Sequence, residues 1–230
     1  LPFEAIPAPS GRLFLELHMI DYSPSATITY LLRKTAVVRM GKRRFLGVGD
    51  VRYPTSDESG ITYFSNLPRP SRLEGSLTEI SAIDKEMKPV TDSVTLLGES
   101  VSESAIKSLS LENFDILHFA VHGISDPNFP ARSALLFGPQ IDERDDGIFQ
   151  AWEISRLRLK TDLVVLSACD TAMGRVLDQE GVSNLVKSFL MAGARSVVAS
   201  IWPTEDRSTA ELMTRFYSYL AHGMDKGSAL

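Results

Sequence analysis

A cysteine and a histidine each follow an apolar run, and they are the residue types of a nucleophile and its base. Cys169 is the only cysteine of the chain and follows the run 163–168, within "LVVLSACDTAMG". His122 follows the run 116–121, within "ILHFAVHG". If both runs are parallel strands of one sheet, both side chains lie at its carboxyl edge, where α/β proteins form their functional crevice. Imidazole can take the thiol proton and stabilise the thiolate, which predicts nucleophilic chemistry at Cys169.

Small residues beside this pair suit acyl transfer, because they let a substrate carbonyl approach the backbone. The amide groups of Gly123 and Cys169 are predicted to form an oxyanion hole for a tetrahedral intermediate. The intervening residues 123–162 are enough for a short strand, a loop and a crossover helix. The two strands can therefore be neighbours in the sheet.

Other interpretations of the same residues stay open. A lone cysteine is commonly a small buried hydrophobe, and a histidine at a strand end is commonly a structural donor. His118 and His122 have the spacing of a metal pair on a helix, but their run has a strand pattern and no further ligand completes a site. The motif "GVGD" at 47–50 lacks the rest of a glycine fingerprint, which disfavours a nucleotide-binding domain. We therefore expect no metal and no cofactor.

Segments typical of strands alternate with segments typical of helices, which predicts βαβ crossovers and a largely parallel sheet. The predicted strands are 44–51, 92–98, 114–123, 133–138, 161–169 and 195–202, and the predicted helices are 76–88, 102–110, 149–159, 180–193 and 204–223. Ser76 and Glu79 have capping-box spacing at the start of the first predicted helix. Segments 12–20 and 26–33 are predicted as strands, or as a strand and a short helix. The broken, polar stretch 52–75 is predicted to be a loop. Continuous Val/Ile/Leu strands are buried on both faces, so the predicted fold class is α/β with helices on both faces of the sheet.

Composition excludes several classes of protein. The 230 residues are 43% hydrophobic and 23% charged, which is ordinary for a globular domain. The net charge of −5 argues against contact with nucleic acid or with an anionic membrane. No apolar run approaches the ~18 residues needed to span a bilayer. Since a single cysteine cannot form an intramolecular disulfide, a reducing compartment and a cytoplasmic location are expected.

Several motifs, in the same order, closely resemble the CHAT domain. They are "ILHFAVHG", "LVVLSACDTAMG", "EGVSNLVKSFLMAGARSVVASIW" and "TEDRSTAELMTRFYSYLAHG". The resemblance is strongest over about residues 92–230 and continues more weakly back to about residue 25. CHAT domains belong with caspases, metacaspases, gingipains and separases. The resemblance implies a caspase-like three-layer sandwich, with a single domain over 25–230 and a truncated C-terminal helix. Residues 1–24 are then expected to be a linker or an N-terminal arm from an upstream region.

The same resemblance implies a cysteine endopeptidase with a Cys–His dyad that cleaves a protein or peptide substrate. His122 matches the family's histidine, Cys169 its nucleophile and Gly123 its oxyanion-hole glycine. Residues implied to line the substrate pocket are Ser167, Asp170, Ser200, Trp202 and Asp206, although Asp206 equally suits the cap of the helix that it opens. One departure is Ala172, which stands where the family commonly has glycine.

The resemblance also implies a biological setting. A regulatory region such as tetratricopeptide repeats is expected in the same longer chain, and family members of this kind often act in bacterial defence or cell-death signalling. The alternative is a catalytically silent CHAT-like module that only binds other proteins.

Overall fold

The computed structural model describes most of the chain in eight stretches. They are residues 5–34, 41–53, 70–124, 126, 128–138, 145–167, 179–200 and 206–230, with the side chains of 33, 179–182 and 206 left out. Within these stretches the strands are Arg43–Gly49 (β1), Thr91–Leu97 (β2), Ile116–Phe119 (β3), Gly123–Ile124 (β4), Ala134–Leu136 (β5), Ile148–Gln150 (β6), Leu163–Leu166 (β7) and Val197–Ala199 (β8). The α-helices are Ala26–Lys34 (α1), Glu74–Met87 (α2), Glu103–Ser108 (α3), Ala151–Ile154 (α4), Gln179–Ala192 (α5), Asp206–Ala221 (α6) and Lys226–Ala229 (α7). No helix in these stretches has the length and apolar character to span a membrane.

Five parallel strands form the central sheet, in the order β2-β1-β3-β7-β8. One row of paired residues crosses all five and consists of Leu96, Val48, Phe119, Leu166 and Ala199. The predicted α/β class with a mostly parallel sheet is therefore confirmed. The strands that precede His122 and Cys169 are β3 and β7, and they are direct neighbours, as the chain order allowed.

Side chains of the central strands alternate between two apolar cores, one on each face of the sheet. Phe45, Ile116 and Leu163 contribute to the core under α2, α6 and α7. The residues that follow them, such as Leu46 and Leu117, contribute to the core under α3, α4 and α5. This period of two is the geometry of a pleated strand, so a run apolar at every position must be covered on both faces. The result is the three-layer arrangement of a caspase-like sandwich.

A second, smaller sheet corrects two sequence predictions. It is antiparallel, in the order β4-β5-β6. The predicted strand 114–123 ends in the central sheet at Phe119, and the chain resumes pairing in the small sheet at Gly123. The predicted helix 149–159 begins instead as β6, and its α-helical part is only Ala151–Ile154. Pairing of β6 with β5 buries Ile148 and Phe149, and this burial overrides the helical periodicity of the segment.

The start of α2 also differs from the prediction. The N-cap position is Leu73, so the helix begins before Ser76, and the expected capping box is wrong. The Ser76 hydroxyl donates to the Leu73 carbonyl and accepts the backbone N–H of Asp50. Glu79 is buried, and its carboxylate contacts His118 of β3. A buried hydrogen-bond partner on the sheet outweighs an exposed cap on the helix itself.

Segments near Met19 and Gly227 meet at the amino edge of the central sheet. Lys226 of α7 donates to the carboxylate of Asp162 and to the hydroxyl of Ser196, which directly precede β7 and β8. The side chain of Met19 lies so close to Gly227 that a Cβ there would overlap its sulfur. Residues 12–20 form only a short 3₁₀ turn, Phe14–Glu16, while the segment 26–33 is helical within α1. The division at residue 24 between an arm and a domain stays a prediction.

The turn after α5 gives a test of its packing against Leu159, in the segment between α4 and β7. Gly193 has φ +110, and a Cβ there would overlap the backbone carbonyl oxygen of Leu159. Gly223, after α6, has φ +87 with nothing within 4 Å of an added Cβ. We expect Gly193→Ala to lower the free energy of unfolding by at least about 3 kcal/mol, since backbone strain and a collision with main chain combine. Gly223→Ala is expected to cost only about 1 kcal/mol, from strain alone. Urea denaturation of both variants measures the difference, and equal losses would contradict the close contact at Gly193.

Candidate active site

The carboxyl ends of three neighbouring strands carry the polar residues of the candidate site. Ser167 directly follows β7 and Ser200 directly follows β8, so the two stand in the same row of the sheet. The N–H of Ser167 donates to the carbonyl of Phe119 at 2.9 Å and extends the β3–β7 pairing by one residue. His122 lies three positions beyond Phe119, and Cys169 is the same number of positions beyond Leu166. The parallel register of β3 and β7 thus brings the chain to the carboxyl edge of the sheet shortly before His122 and shortly before Cys169.

The imidazole of His122 is buried and has a defined orientation. His122 is only 1% exposed, and its Nε2 lies 2.7 Å from the backbone carbonyl oxygen of Ser71. Because a carbonyl oxygen can only accept, Nε2 must carry the proton. In a neutral imidazole, Nδ1 is then the nitrogen that can accept a proton. The contact with Ser71 therefore assigns the basic nitrogen of His122.

The backbone of His122 is held from two sides by the hydroxyl of Tyr53 and by β5. The N–H of His122 donates to Tyr53 Oη at 3.0 Å, and that hydroxyl donates to the carbonyl of Leu136 at 3.3 Å. The carbonyl of His122 accepts the N–H of Leu136 at 2.8 Å. The rings of Tyr53 and His122 also lie 5.1 Å apart. These contacts fix the main chain at the turn from the central sheet to the small sheet.

His118 makes a separate, fully buried network on the other side of β3. Its Nε2 lies 2.8 Å from Glu79 of α2, and its Nδ1 lies 3.0 Å from the hydroxyl of Tyr217 of α6. A carboxylate accepts, so Nε2 is the donor, and in the neutral imidazole Nδ1 accepts from Tyr217. His118 and His122 thus have different partners and do not form a metal pair. Burial, and then the negative charge of Glu79, raise the pKa of Tyr217 well above its usual range.

The other predicted site residues fall into two groups. Gly123 opens β4 directly after His122, and Ser167 is buried, with no hydrogen-bond partner for its hydroxyl among the described residues. Ser200 is half-buried. Cys169, Asp170 and Trp202 lie outside the described residues, and Asp206 is described only as the first backbone position of α6. The structure thus brings His122, Gly123, Ser167 and Ser200 to one edge, while the pairing of His122 with Cys169 stays a prediction.

Comparison with known families supplies the classification. The model of the CHAT domain matches residues 1–230, the whole chain. The chain belongs to the CHAT domain family. CHAT domains are part of the caspase-like cysteine peptidase superfamily, which agrees with the three-layer fold and with a histidine at the carboxyl edge of the sheet.

Two curated proteins are similar to the chain over a shorter region. Tetratricopeptide repeat protein 28 of Mus musculus is 35% identical over 83 residues, and its counterpart in Homo sapiens is 32% identical over 83 residues. Each match covers 36% of this chain and 3% of the relative. The chain therefore spans a very small part of the curated relatives that it matches. Both relatives are mammalian, and a bacterial setting for this CHAT domain stays a prediction.

Sequence reasoning missed three residues that hold the histidines of this CHAT domain. Ser71 acts through its backbone carbonyl, which every residue type possesses, so no residue pattern identifies it. Tyr53 is an isolated aromatic residue at the start of a polar stretch. Glu79 was assigned to a helix cap because the spacing from Ser76 matched. The available signal was a buried histidine, His118, inside an apolar strand, since such a residue requires polar partners.

The raised pKa of Tyr217 predicts a pH-dependent contribution to stability. Below pH ~10, Tyr217→Phe should lower the free energy of unfolding by about 1–2 kcal/mol, because His118 Nδ1 loses its donor. Above pH ~10 the unfolded tyrosine ionises while the folded one stays neutral, so the wild-type protein loses about 1.4 kcal/mol per pH unit and the variant does not. The stability advantage of the wild type over the variant should therefore shrink as the pH rises from 10 towards the raised pKa.

Denaturant titrations between pH 8 and pH 11 measure this difference. Tyr219 lies on the same helix and is 47% exposed, so Tyr219→Phe should change stability by less than about 0.5 kcal/mol at pH 8. A wild-type advantage that stays constant across the range would contradict the burial of Tyr217 as a neutral phenol.

Proposed function

We propose that the chain is a cysteine endopeptidase in which His122 and Cys169 form the catalytic dyad. The observation that carries the proposal is the hydrogen bond from His122 Nε2 to the Ser71 carbonyl, which leaves Nδ1 as the base. Cys169 follows β7, the direct neighbour of the strand that leads to His122. A buried histidine with a defined basic nitrogen, beside the strand that ends before the single cysteine, suits nucleophilic catalysis.

The reaction begins when His122 Nδ1 takes the proton of the Cys169 thiol. The thiolate attacks the carbonyl carbon of the scissile peptide bond, and the carbonyl oxygen becomes an oxyanion. Collapse of this intermediate breaks the C–N bond, and the imidazolium gives its proton to the leaving amine. Water, deprotonated by the same imidazole, then hydrolyses the thioester and restores the thiol. The carbonyl of Ser71 stabilises the imidazolium in each half of the cycle, because it accepts from Nε2.

Two further groups of residues complete the proposed site. The backbone N–H groups of Gly123 and Cys169 stabilise the oxyanion, and such a donor is typically worth about 10²–10³ in rate. Residues at the ends of β7, β8 and the start of α6 line the pocket for the side chain before the scissile bond, namely Ser167, Asp170, Ser200, Trp202 and Asp206. Ser167 and Ser200 stand in one row at the carboxyl edge, which supports a shared wall.

Three variants test the dyad directly. The chain, Cys169→Ala and His122→Ala are incubated with a peptide library, and new termini are mapped by mass spectrometry. Both variants are expected to lose at least about a thousandfold in kcat/KM, because nucleophile and base act as one unit. His222→Ala is the matched control, since His222 is an exposed histidine whose Nδ1 contacts Ser218 of its own helix. It should cleave at the wild-type rate, whereas cleavage that persists in Cys169→Ala would contradict the dyad.

The alternative function is a catalytically silent CHAT module that binds other proteins. Alkylation of Cys169 separates the two, and the reaction is specific because the chain has one cysteine. The pH dependence of the labelling rate gives the apparent pKa of the Cys169 thiol. With an active dyad this pKa should lie below the ordinary thiol range, and His122→Ala should raise it. A silent module gives an apparent thiol pKa near ~8.5 in both proteins.

We also propose that helical tetratricopeptide repeats in the same longer chain restrain this site, in a cytoplasmic protein. The two relatives that match carry that repeat in their names. The turn Phe14–Glu16 and its neighbours expose Leu13, Leu15 and Leu17, which are 43%, 53% and 41% accessible. A cluster of exposed leucines is typical of a surface that another protein element covers. Packed helical repeats offer the apolar face that such a cluster requires.

Glutamate substitutions in this leucine cluster test the restraint. In a longer chain that carries the repeats, Leu15→Glu with Leu17→Glu should raise the cleavage rate about tenfold, because the repeats are released. The same pair in the 230-residue chain should leave the rate unchanged. Met191→Glu is the control, since Met191 is 76% exposed on α5. Equal rates for the longer chain with and without the leucine substitutions would contradict regulation through this surface.

A further inference from the structure

Asp50 has an unusual backbone conformation at the carboxyl edge of the sheet. It directly follows β1 and has φ 55°, the one positive φ of a non-glycine residue in the described stretches. It is also buried, with 5% exposure. A left-handed conformation costs free energy for a residue with a Cβ, although Asp and Asn tolerate it best. Such a conformation in a buried residue beside a candidate site points to a role for its contacts.

Those contacts all lead to the segment that carries the Ser71 carbonyl. The carboxylate of Asp50 accepts Arg72 Nε at 2.5 Å, and the backbone N–H of Asp50 donates to Ser76 Oγ at 2.8 Å. Ser76 Oγ donates in turn to the carbonyl of Leu73 at 2.6 Å. Asp50, directly after β1, therefore binds this segment through its side chain and through its main chain.

Ser71 is joined directly to the residue that this ion pair holds. The carbonyl carbon of Ser71 is bonded to the backbone nitrogen of Arg72, so the torsion angles at that junction aim the carbonyl oxygen. That oxygen accepts from His122 Nε2 at 2.7 Å. The Asp50 carboxylate is only 7% exposed, and Arg72 is 36% exposed, so the ion pair is partly shielded from water and from salt. An interaction of this kind keeps its geometry better than a pair between two exposed side chains.

We propose that the Asp50–Arg72 ion pair is a positioning element for catalysis, which aims the Ser71 carbonyl at His122 and so fixes its basic nitrogen. This inference rests on the proposed role of His122 as the base. Asp50 and Arg72 are assigned a positioning role, because they act on His122 through the Ser71 carbonyl. Loss of the pair frees the Ser71 carbonyl, His122 Nε2–H loses its acceptor, and the imidazolium loses the group that stabilises it.

The first test follows the His122 imidazole and needs no catalytic activity. The full chain is labelled with ¹⁵N-histidine, and the Nε2–H signal of His122 is identified by its absence in His122→Gln. A buried N–H bound to a carbonyl exchanges slowly with water, so the wild type should give a sharp signal. Asp50→Asn keeps the tolerated backbone conformation, and Arg72→Gln changes a partly exposed side chain, so both are designed to fold. Both should broaden this signal or lose it.

Matched variants separate positioning from a general loss of structure. Asp162→Asn removes another carboxylate that binds an arginine, Arg195, but it lies at the opposite edge of the same sheet. It should leave the His122 signal sharp. Arg72→Lys keeps the charge and should restore most of the signal. The double variant Asp50→Asn with Arg72→Gln should be no worse than either single variant, because the two residues act through one contact.

The second test measures peptide cleavage by the same proteins. Asp50→Asn and Arg72→Gln should each lower kcat about 10–100-fold with KM within about twofold, since they disturb the base and not substrate binding. If the NMR effects appear while the wild type cleaves nothing, the positioning role stands and the proposed peptidase function fails. If both folded variants keep the sharp Nε2–H signal, or if Asp162→Asn loses it equally, the positioning role is overturned even when the wild type is an active peptidase.

Discussion

The parallel pairing of β3 with β7 is the constraint on which the rest of the site depends. Pairing aligns Phe119 with Leu166, so the chain leaves both strands at the same height. A shift of one residue would exchange the side chains of β7 between the two apolar cores, and the close packing of each core opposes that exchange. The position of the carboxyl edge is therefore determined by Val, Leu, Ile and Phe side chains. Polar residues beyond the edge inherit their alignment from this apolar packing.

Two histidines four positions apart show how this sheet separates structure from chemistry. His118 lies within β3, where the pleat directs it towards α2 and α6, and both its nitrogens are bound by side chains. His122 lies past the strand, and its Nε2 is bound by a backbone carbonyl. Side-chain partners make the first histidine part of the helix packing. A main-chain partner leaves the second histidine dependent on how the segment before α2 is held.

Features that repeat along the chain could be predicted from the sequence, while features that depend on single tertiary contacts could not. The apolar runs at 163–168 and 116–121 predicted buried strands, because continuous burial requires helices on both faces, and the chain between them allowed the two strands to be neighbours. The predicted helix 149–159 starts too early, because Phe149 and Gln150 belong to β6, which pairs with β5. Ser76 and Glu79 matched a local cap, yet each binds a residue of the sheet. Ser71 contributes a carbonyl, which no residue type signals. Candidate reactive side chains could thus be named from the sequence, whereas the residues that orient His122 could not.

The meeting of Met19 with α7 has a consequence for how signals can reach the site. Chain segments near residues 19 and 227 lie together at the amino edge, beside Asp162 and Ser196, whereas His122 lies beyond the carboxyl edge. Strand β7 alone separates these edges by about 13 Å at ~3.3 Å per residue. An element that binds at the amino edge near residues 19 and 227 contacts the side of the sheet opposite to His122. The described route between the two edges runs through the sheet and through α2 and α6, whose buried link to β3 is the Glu79–His118–Tyr217 network. Control along this route would be allosteric, because it couples two separate sites.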